Sequence, residues 1–168
     1  MSAMKPHFQM MAAYNRWANA RLYDAAAGLP DDLYRKDIGL FFRSLHGTLN
    51  HLLATDRIWM KRIDGRGEAP DRLNAILFED FAPLREAREA EDRRIIGFVE
   101  GLKDADLEAI RDYKTTRGVP QRDPLKVILT HLFNHETHHR GQAHTGLSLL
   151  TGAEPPSLDL MWMLREKS

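Results

Sequence analysis

The run His131, Leu132, Phe133, Asn134, His135, Glu136, Thr137, His138, His139, Arg140, Gly141, Gln142 holds four of the chain's eight histidines, and with them its best means of binding a metal or moving a proton. On an α-helix, residues four apart are offset by only about 40°, so His135 and His139 project side by side and could grip one ion. Extending the apolar series Leu125, Ile128, Leu132 by steps of three and four reaches His135, His139 and Gly146, which puts both imidazoles on the inward face. Imidazoles withdrawn from water need partners, and a metal ion supplies one. Backbone carbonyls or a polar groove would also serve, and spacing alone does not choose between them.

Two ligands do not make a site, so a third must come from elsewhere in the chain. There is no cysteine, which removes thiolate ligands, disulfides and a cysteine nucleophile together. His51 is the candidate. It sits one residue before Leu52 and so about 100° from the main apolar stripe of its segment, among the small residues Gly47, Thr48, Ala54 and Thr55. Periodicity leaves it open between an edge histidine and a ligand. His46, His131, His138 and His144 compete for the role, and His7 need bind nothing.

His135, Glu136 and His139 also spell the zincin pattern, in which the glutamate acts as general base, so Glu136 is the candidate catalytic residue. The metzincin extension fails, because Gln142 and Thr145 stand where glycine and histidine are required. Glu136 otherwise reads as a solvated helix residue. Glu136 with His139 matches half of a di-iron bundle motif, but the second copy is missing. Asp56 reads as an ion-paired interior carboxylate or a partner to a ligand. Gln142 has similar standing, and Arg140 could hold an anionic substrate group or cap surface carboxylates.

Helices must position these residues. Met11, Tyr14, Leu22 and Ala25 recur at helical spacing and predict a helix over Phe8 to Ala27, stopped by Gly28 and Pro30. Asp31 to Gly39 is turn-like. Leu45, Leu49, Leu52, Trp59 and Ile63 predict a second helix from Phe42 to Ile63, and Gly67 to Asn74 a connector. Phe81 to Leu102 reads as a third helix with a charged, solvated outer face. Tyr113, Thr115, Gly118 and Pro120 suit a small hairpin or ordered loop. Asp123 as N-cap with Pro124 at the first helical position opens a fourth helix to Leu150, and Ser157 caps a short terminal helix to Arg165.

The fold class is therefore all-α: residues 1–168 as one four-helix bundle with a short C-terminal helix. Lys plus Arg and Asp plus Glu both number 24, so nothing suggests a nucleic-acid partner. No stretch approaches the roughly 20 apolar residues of a membrane span, and a cytoplasmic location is expected. Leu53 and Met60 widen the apolar coverage of the second helix and suggest a homodimer.

Thr48, Leu49, Asn50, His51, Leu52, Leu53, Ala54, Thr55, Asp56, Arg57, Ile58, Trp59, together with Asn134 to Gln142, resemble the DinB or YfiT-like family of metal-dependent bundle proteins. Asn15, Arg16, Trp17, Ala18 and Asn19 look like its first-helix signature, and Pro155 to Leu160 like its closing segment. The resemblance implies a triad of one histidine from the second helix and two from the fourth on a divalent ion, which falls on His51, His135 and His139. Zinc or nickel is the expected metal. Three protein ligands leave a position open, which suits catalysis on water or on a thiolate. Relatives include thiol-dependent transferases and an isomerase. The expected function is thus a metal-dependent hydrolase or thiol-dependent transferase acting on a small molecule, with a low-molecular-weight thiol as partner. The competing readings are a noncatalytic metal-binding dimer and, less favoured, a zincin-type peptidase. A site opening onto a pocket lined by Trp or Tyr would favour catalysis, and a sealed four-ligand site a structural ion.

Overall fold

The computed structural model describes residues 4–166. Its elements in order are α1 (Met4–Ala27), α2 (Asp31–Arg35), α3 (Leu45–Asp64), α4 (Phe81–Gly101), α5 (Asp104–Glu108), β1 (Ile110–Lys114), β2 (Pro120–Pro124), α6 (Leu125–Thr151) and α7 (Leu160–Glu166). The long helices α1, α3, α4 and α6 form the bundle: α1 packs against α4 and α6, and α3 closes the opposite corner against the same two. The expected all-α bundle with a terminal helix is what the chain forms. Among the described residues no helix is long and apolar enough to cross a membrane.

Core side chains fall in two main clusters. One gathers Phe8, Met60, Ile95, Leu129 and Phe133, and the other Leu22, Tyr23, Leu49, Leu53 and Leu147. Leu53 and Met60 are fully buried within the chain's own bundle. The apolar breadth of α3, which suggested a second copy, is therefore satisfied internally: this helix carries two buried flanks, one toward α4 and one toward α6.

Several element boundaries differ from the sequence expectation. The second long helix starts at Leu45 rather than Phe42, because Arg43 takes a positive φ of 72° and Ser44 becomes the N-cap, its Oγ accepting from the Gly47 N–H at 3.1 Å. Gly65, at φ 71°, ends that helix in the left-handed conformation. Asp31 to Gly39 contains the short helix α2 as well as a turn, and α5 precedes the hairpin. The hairpin itself is present, with β1 antiparallel to β2 and Gly118 in its turn at φ 79°.

Asp123 is not the N-cap of α6. It pairs with Arg111 across the hairpin, and its carboxylate accepts from the Tyr113 hydroxyl at 2.8 Å, leaving Pro124 as the cap residue. Likewise α7 starts at Leu160 rather than Ser157. The Asp159 carboxylate does the capping, accepting from the Met161 N–H at 2.7 Å.

Candidate metal centre

His51 is carried by α3, and His135 and His139 by α6, two helices packed directly against each other. The three rings converge. Ring centroids are 4.3 Å apart for His135 and His139, 4.4 Å for His51 and His139, and 5.2 Å for His51 and His135. Their donor nitrogens lie within 4.8 Å of one another. Three nitrogens on one tetrahedral ion at roughly 2.1 Å stand about 3.4 Å apart, so closure onto an ion shortens the widest of these separations by at most about 1.4 Å, shared between two side chains.

The surroundings fix which nitrogen His51 and His139 offer. His51 Nδ1 is 2.6 Å from the Leu73 carbonyl oxygen, which can only accept, so Nδ1 carries the proton and Nε2 the lone pair. His51 is 2% exposed, and that Nε2 has no hydrogen-bond partner among the described residues. An orphaned buried acceptor is costly unless something binds it. His139 repeats the arrangement: its Nδ1 donates to Gln142 Oε1 at 2.7 Å, turning Nε2 to the shared point. Gln142 thus orients a ring of the triad, one of the two roles its position allowed.

Electrostatics keep the rings neutral. Burial lowers His51 from 6.5 to about 4 and His135 to about 3, with the neighbouring imidazoles adding to the effect. His139 is lowered as well, again chiefly by burial. Three neutral imidazoles gathered at one point fit a divalent cation and would repel none.

The chain builds this geometry from several local devices. Phe42 stacks on His51 at 3.7 Å between centroids and 20° between planes, and meets His139 edge-on at 5.5 Å. Room for the Phe42 main chain depends on Gly47, where a Cβ would lie 2.1 Å from the Phe42 carbonyl oxygen. Asn50 holds the connector that delivers Leu73: its Oδ1 accepts from the Leu77 and Phe78 N–H groups at 2.8 and 3.0 Å, and its Nδ2 donates to the Phe78 carbonyl at 3.1 Å. Nothing in the periodicity singled out Phe42 or Leu73. The usable signal was Gly47, a helix-interior glycine where a backbone had to approach closely.

The remaining histidines stand outside the triad, with His131 and His138 bordering it. His46 Nε2 meets the Phe78 carbonyl and His144 Nε2 the Pro156 carbonyl, at 3.2 and 3.1 Å. His131 packs on Trp59, with centroids 4.8 Å apart. His138 is exposed beside the triad, and His7 lies against Phe8.

Glu136 is not the solvated helix residue its charge suggested. It is 0% exposed and enters a buried ionic cluster spanning α1, α3, α4 and α6. Arg88 Nη2 lies 2.7 Å from Asp56 Oδ2 and 2.9 Å from Asp92 Oδ1. Arg140 Nη1 donates to Asn15 Oδ1, and at 3.3 Å to both Asn19 Oδ1 and Glu136 Oε2. The Asn19 amide donates in turn to Asp92 at 3.0 Å. Asp56 is therefore the ion-paired interior carboxylate, and Arg140 binds interior amides and Glu136 rather than surface carboxylates. Burial pushes Asp56 and Glu136 above the usual carboxyl range, the Glu136 charge adding to the rise at Asp56 while Arg88 and Arg140 oppose it at Glu136. The Asn15 and Asn19 pair, one turn apart on an otherwise apolar face, was the sequence trace of this cluster.

A cavity of about 230 Å³ opens beside the triad, lined by Phe41, Phe42, Leu73, His138 and Gln142 together with the three histidines. Its aromatic wall is phenylalanine, where tryptophan or tyrosine had been expected of a catalytic site.

The fold is shared with solved structures. A DinB-like protein from Bacillus cereus ATCC 10987 superposes with a TM-score of 0.63 at 19% identity, covering 83% of this chain and 89% of that one. A conserved protein from Enterococcus faecalis gives 0.63 at 15% identity, covering 86% and 97%. In sequence, Protein DinB of Bacillus subtilis strain 168 is 25% identical over 134 residues, or 76% of this chain and 77% of that protein. The sequence model of the DinB family matches residues 3–167. With that match spanning nearly the whole chain, the protein belongs to the DinB family.

Proposed function

We propose that this chain is a divalent-metal-dependent enzyme acting on a small molecule, as a hydrolase or a thiol-dependent transferase, with His51, His135 and His139 as the metal ligands. The observation that carries the reading is the buried, partnerless Nε2 of His51 facing two further imidazoles within 4.8 Å. An ion held there supplies Lewis acidity at a position reachable from the cavity, where a water molecule or the sulfur of a thiol cosubstrate can approach.

The chain's own residues do the rest. The Leu73 carbonyl and Gln142 hold the Nδ1 protons and so fix the ligating tautomers of His51 and His139. Phe42 shields one face of His51 from water. Glu136 receives no proton-transfer role in this proposal, since its carboxylate is fully buried and tied to Arg140 inside the core. That also weakens the zincin reading, whose glutamate must face the substrate.

The alternative is a noncatalytic protein in which the ion only joins α3 to α6. The open cavity at the triad favours catalysis over that reading, because a structural zinc is closed by four protein ligands. The test is elemental analysis of the purified chain beside His51→Ala, His135→Ala and His139→Ala, with His131→Ala and His144→Ala as controls. One metal per chain is expected in wild type and both controls, and loss in each triad variant. A bacillithiol, glutathione and mycothiol activity panel then separates transferase from hydrolase. Full metal content in a triad variant would refute the ligand assignment.

A further inference from the structure

We propose that the cavity beside the triad is a specificity pocket for a small ligand joining a metal-binding head to a short, uncharged, apolar tail, with Phe41 and Phe42 gripping the tail. This rests on the reading of the triad as a metal site. The two can fail separately.

The first argument is the chemistry of the walls. No Asp, Glu, Lys or Arg lines this cavity. The larger cavity between α1 and α4 is the opposite, bordered by Arg16, Arg85, Arg88, Glu89, Asp92 and Arg93. A charged tail entering the triad cavity would lose water and gain no counter-charge, whereas an apolar tail loses only unfavourable contact with water. At about 230 Å³ the space is smaller than the roughly 300–1,000 Å³ of pockets for drug-sized ligands, so the tail it holds is about the size of one ring.

The second argument is how Phe41 is held. Its side chain is 78% exposed, the most exposed of the large apolar side chains among the described residues. A freely moving loop could simply fold such a ring away, but this turn is pinned on both sides of Phe41. Arg43 N–H donates to the Leu40 carbonyl at 2.7 Å, and Ile38 N–H to the Arg43 carbonyl at 2.9 Å. The Asp37 carboxylate accepts from the Gly39 N–H at 3.1 Å and from Arg43 Nε at 2.9 Å. Arg43 itself adopts a positive φ of 72°, which a non-glycine residue does only when its surroundings impose it. Beneath the turn, Leu40 and Ile38 lie so near Gly146 of α6 that an added Cβ would sit 3.0 and 3.4 Å from their methyls. The chain thus spends local strain to present two adjacent phenyl rings at the rim of the triad, one on His51 and one to solvent.

The test uses three hydroxamates with one common metal-binding head: acetohydroxamate, benzohydroxamate and the monohydroxamate of succinate. Calorimetry on the zinc-loaded full chain measures each, corrected for its affinity for free zinc, in wild type, Phe41→Ala and Phe41→Leu. Zinc content and light scattering are recorded for every sample. We expect benzohydroxamate to bind at least about tenfold tighter than acetohydroxamate, the range a single apolar group gives in a fitted pocket. The succinate probe should be weakest. Phe41→Ala should erase most of the preference at unchanged zinc content, and Phe41→Leu should keep most of it.

Equal affinities, or a preference for the charged tail, on a zinc-loaded protein would overturn the pocket and leave the metal site standing. So would a Phe41→Ala protein that changes oligomeric state while keeping the wild-type ranking, since Phe41 would then serve a second copy of the chain. Failure of wild type to load zinc or any other divalent ion would overturn the metal site, and this proposal with it.

Discussion

Replacing Gly47 by alanine adds one methyl group to the interior of α3, at a point where its carbon would stand 2.1 Å from the Phe42 carbonyl oxygen. Ordinary contact begins at 3.4 Å, so the oxygen must retreat by more than roughly 1 Å, and the atom in the way is backbone. The turn that carries it cannot yield freely, being tied by Asp37, by Arg43 and by the packing of Leu40 on Gly146. Such overpacking costs about 1–3 kcal/mol, which for a chain of this length lowers Tm by about 2–4 °C per kcal/mol. We expect a fall of about 2–12 °C in the metal-free protein. The Phe42 ring moves with its backbone, so His51 loses the stack at 3.7 Å and zinc affinity falls by about tenfold. Gly97→Ala is the matched control, an exposed helical glycine with nothing within 4 Å of the added carbon, and should raise stability by up to about 1 kcal/mol. Thermal melting and competition against a chromogenic chelator read both quantities. A Gly47→Ala protein with unchanged Tm and zinc affinity would refute the claim that this glycine is what seats the turn.

Other perturbations test the remaining supports. Gln142→Leu removes the acceptor for His139 Nδ1–H and should weaken zinc binding by about 10–100-fold at nearly unchanged stability, measured by the same competition. Arg88→Met leaves Asp56 and Asp92 buried without their guanidinium and should cost about 3–5 kcal/mol in urea denaturation, whereas an effect under about 1 kcal/mol would contradict the ionic cluster described above. His51, lowered to about 4 in the fold and near 6.5 when unfolded, makes the unfolded chain the better proton acceptor between those values, so metal-free protein loses stability as pH falls through that window. Measured as the difference between wild type and His51→Gln, so that other groups cancel, the loss at pH 5 should be on the order of 1–2 kcal/mol, and a flat difference would count against the burial of a neutral ring.

Much of this was legible in the sequence because helical periodicity and metal-ligand spacing are both local properties. The stripe from Leu125 through Leu132 to Gly146 placed His139 correctly on the inward face, and the hairpin followed from its turn residues. What stayed hidden depended on residues distant in the chain. His51 stood off its apolar stripe, yet α3 is buried on two flanks, so a residue about 100° from the stripe is still interior. Glu136 read as solvated because charge is normally outside, and only the arrival of Arg88 from α4, beside Arg140 one turn along α6, makes its burial tolerable. Phe42 was assigned to the helix because its apolar character fits the pattern, which carries no trace of the positive φ at Arg43. The oxygen that orients His51 is a main-chain carbonyl, and side-chain identity does not reveal it.

The ionic cluster has a consequence for how this protein can move. Each of the four long helices contributes at least one member: Asn15 and Asn19 from α1, Asp56 from α3, Arg88 and Asp92 from α4, Glu136 and Arg140 from α6. An apolar interface tolerates sliding, since one methyl group replaces another, but sliding any of these helices by a turn, roughly 5.4 Å, would strand an unmatched charge in the interior. The cluster therefore acts as a register key that forbids piston-like displacement of α3 against α6. The histidines are then reached through the cavity rimmed by Phe41, Phe42 and Leu73, while the ligating helices stay fixed.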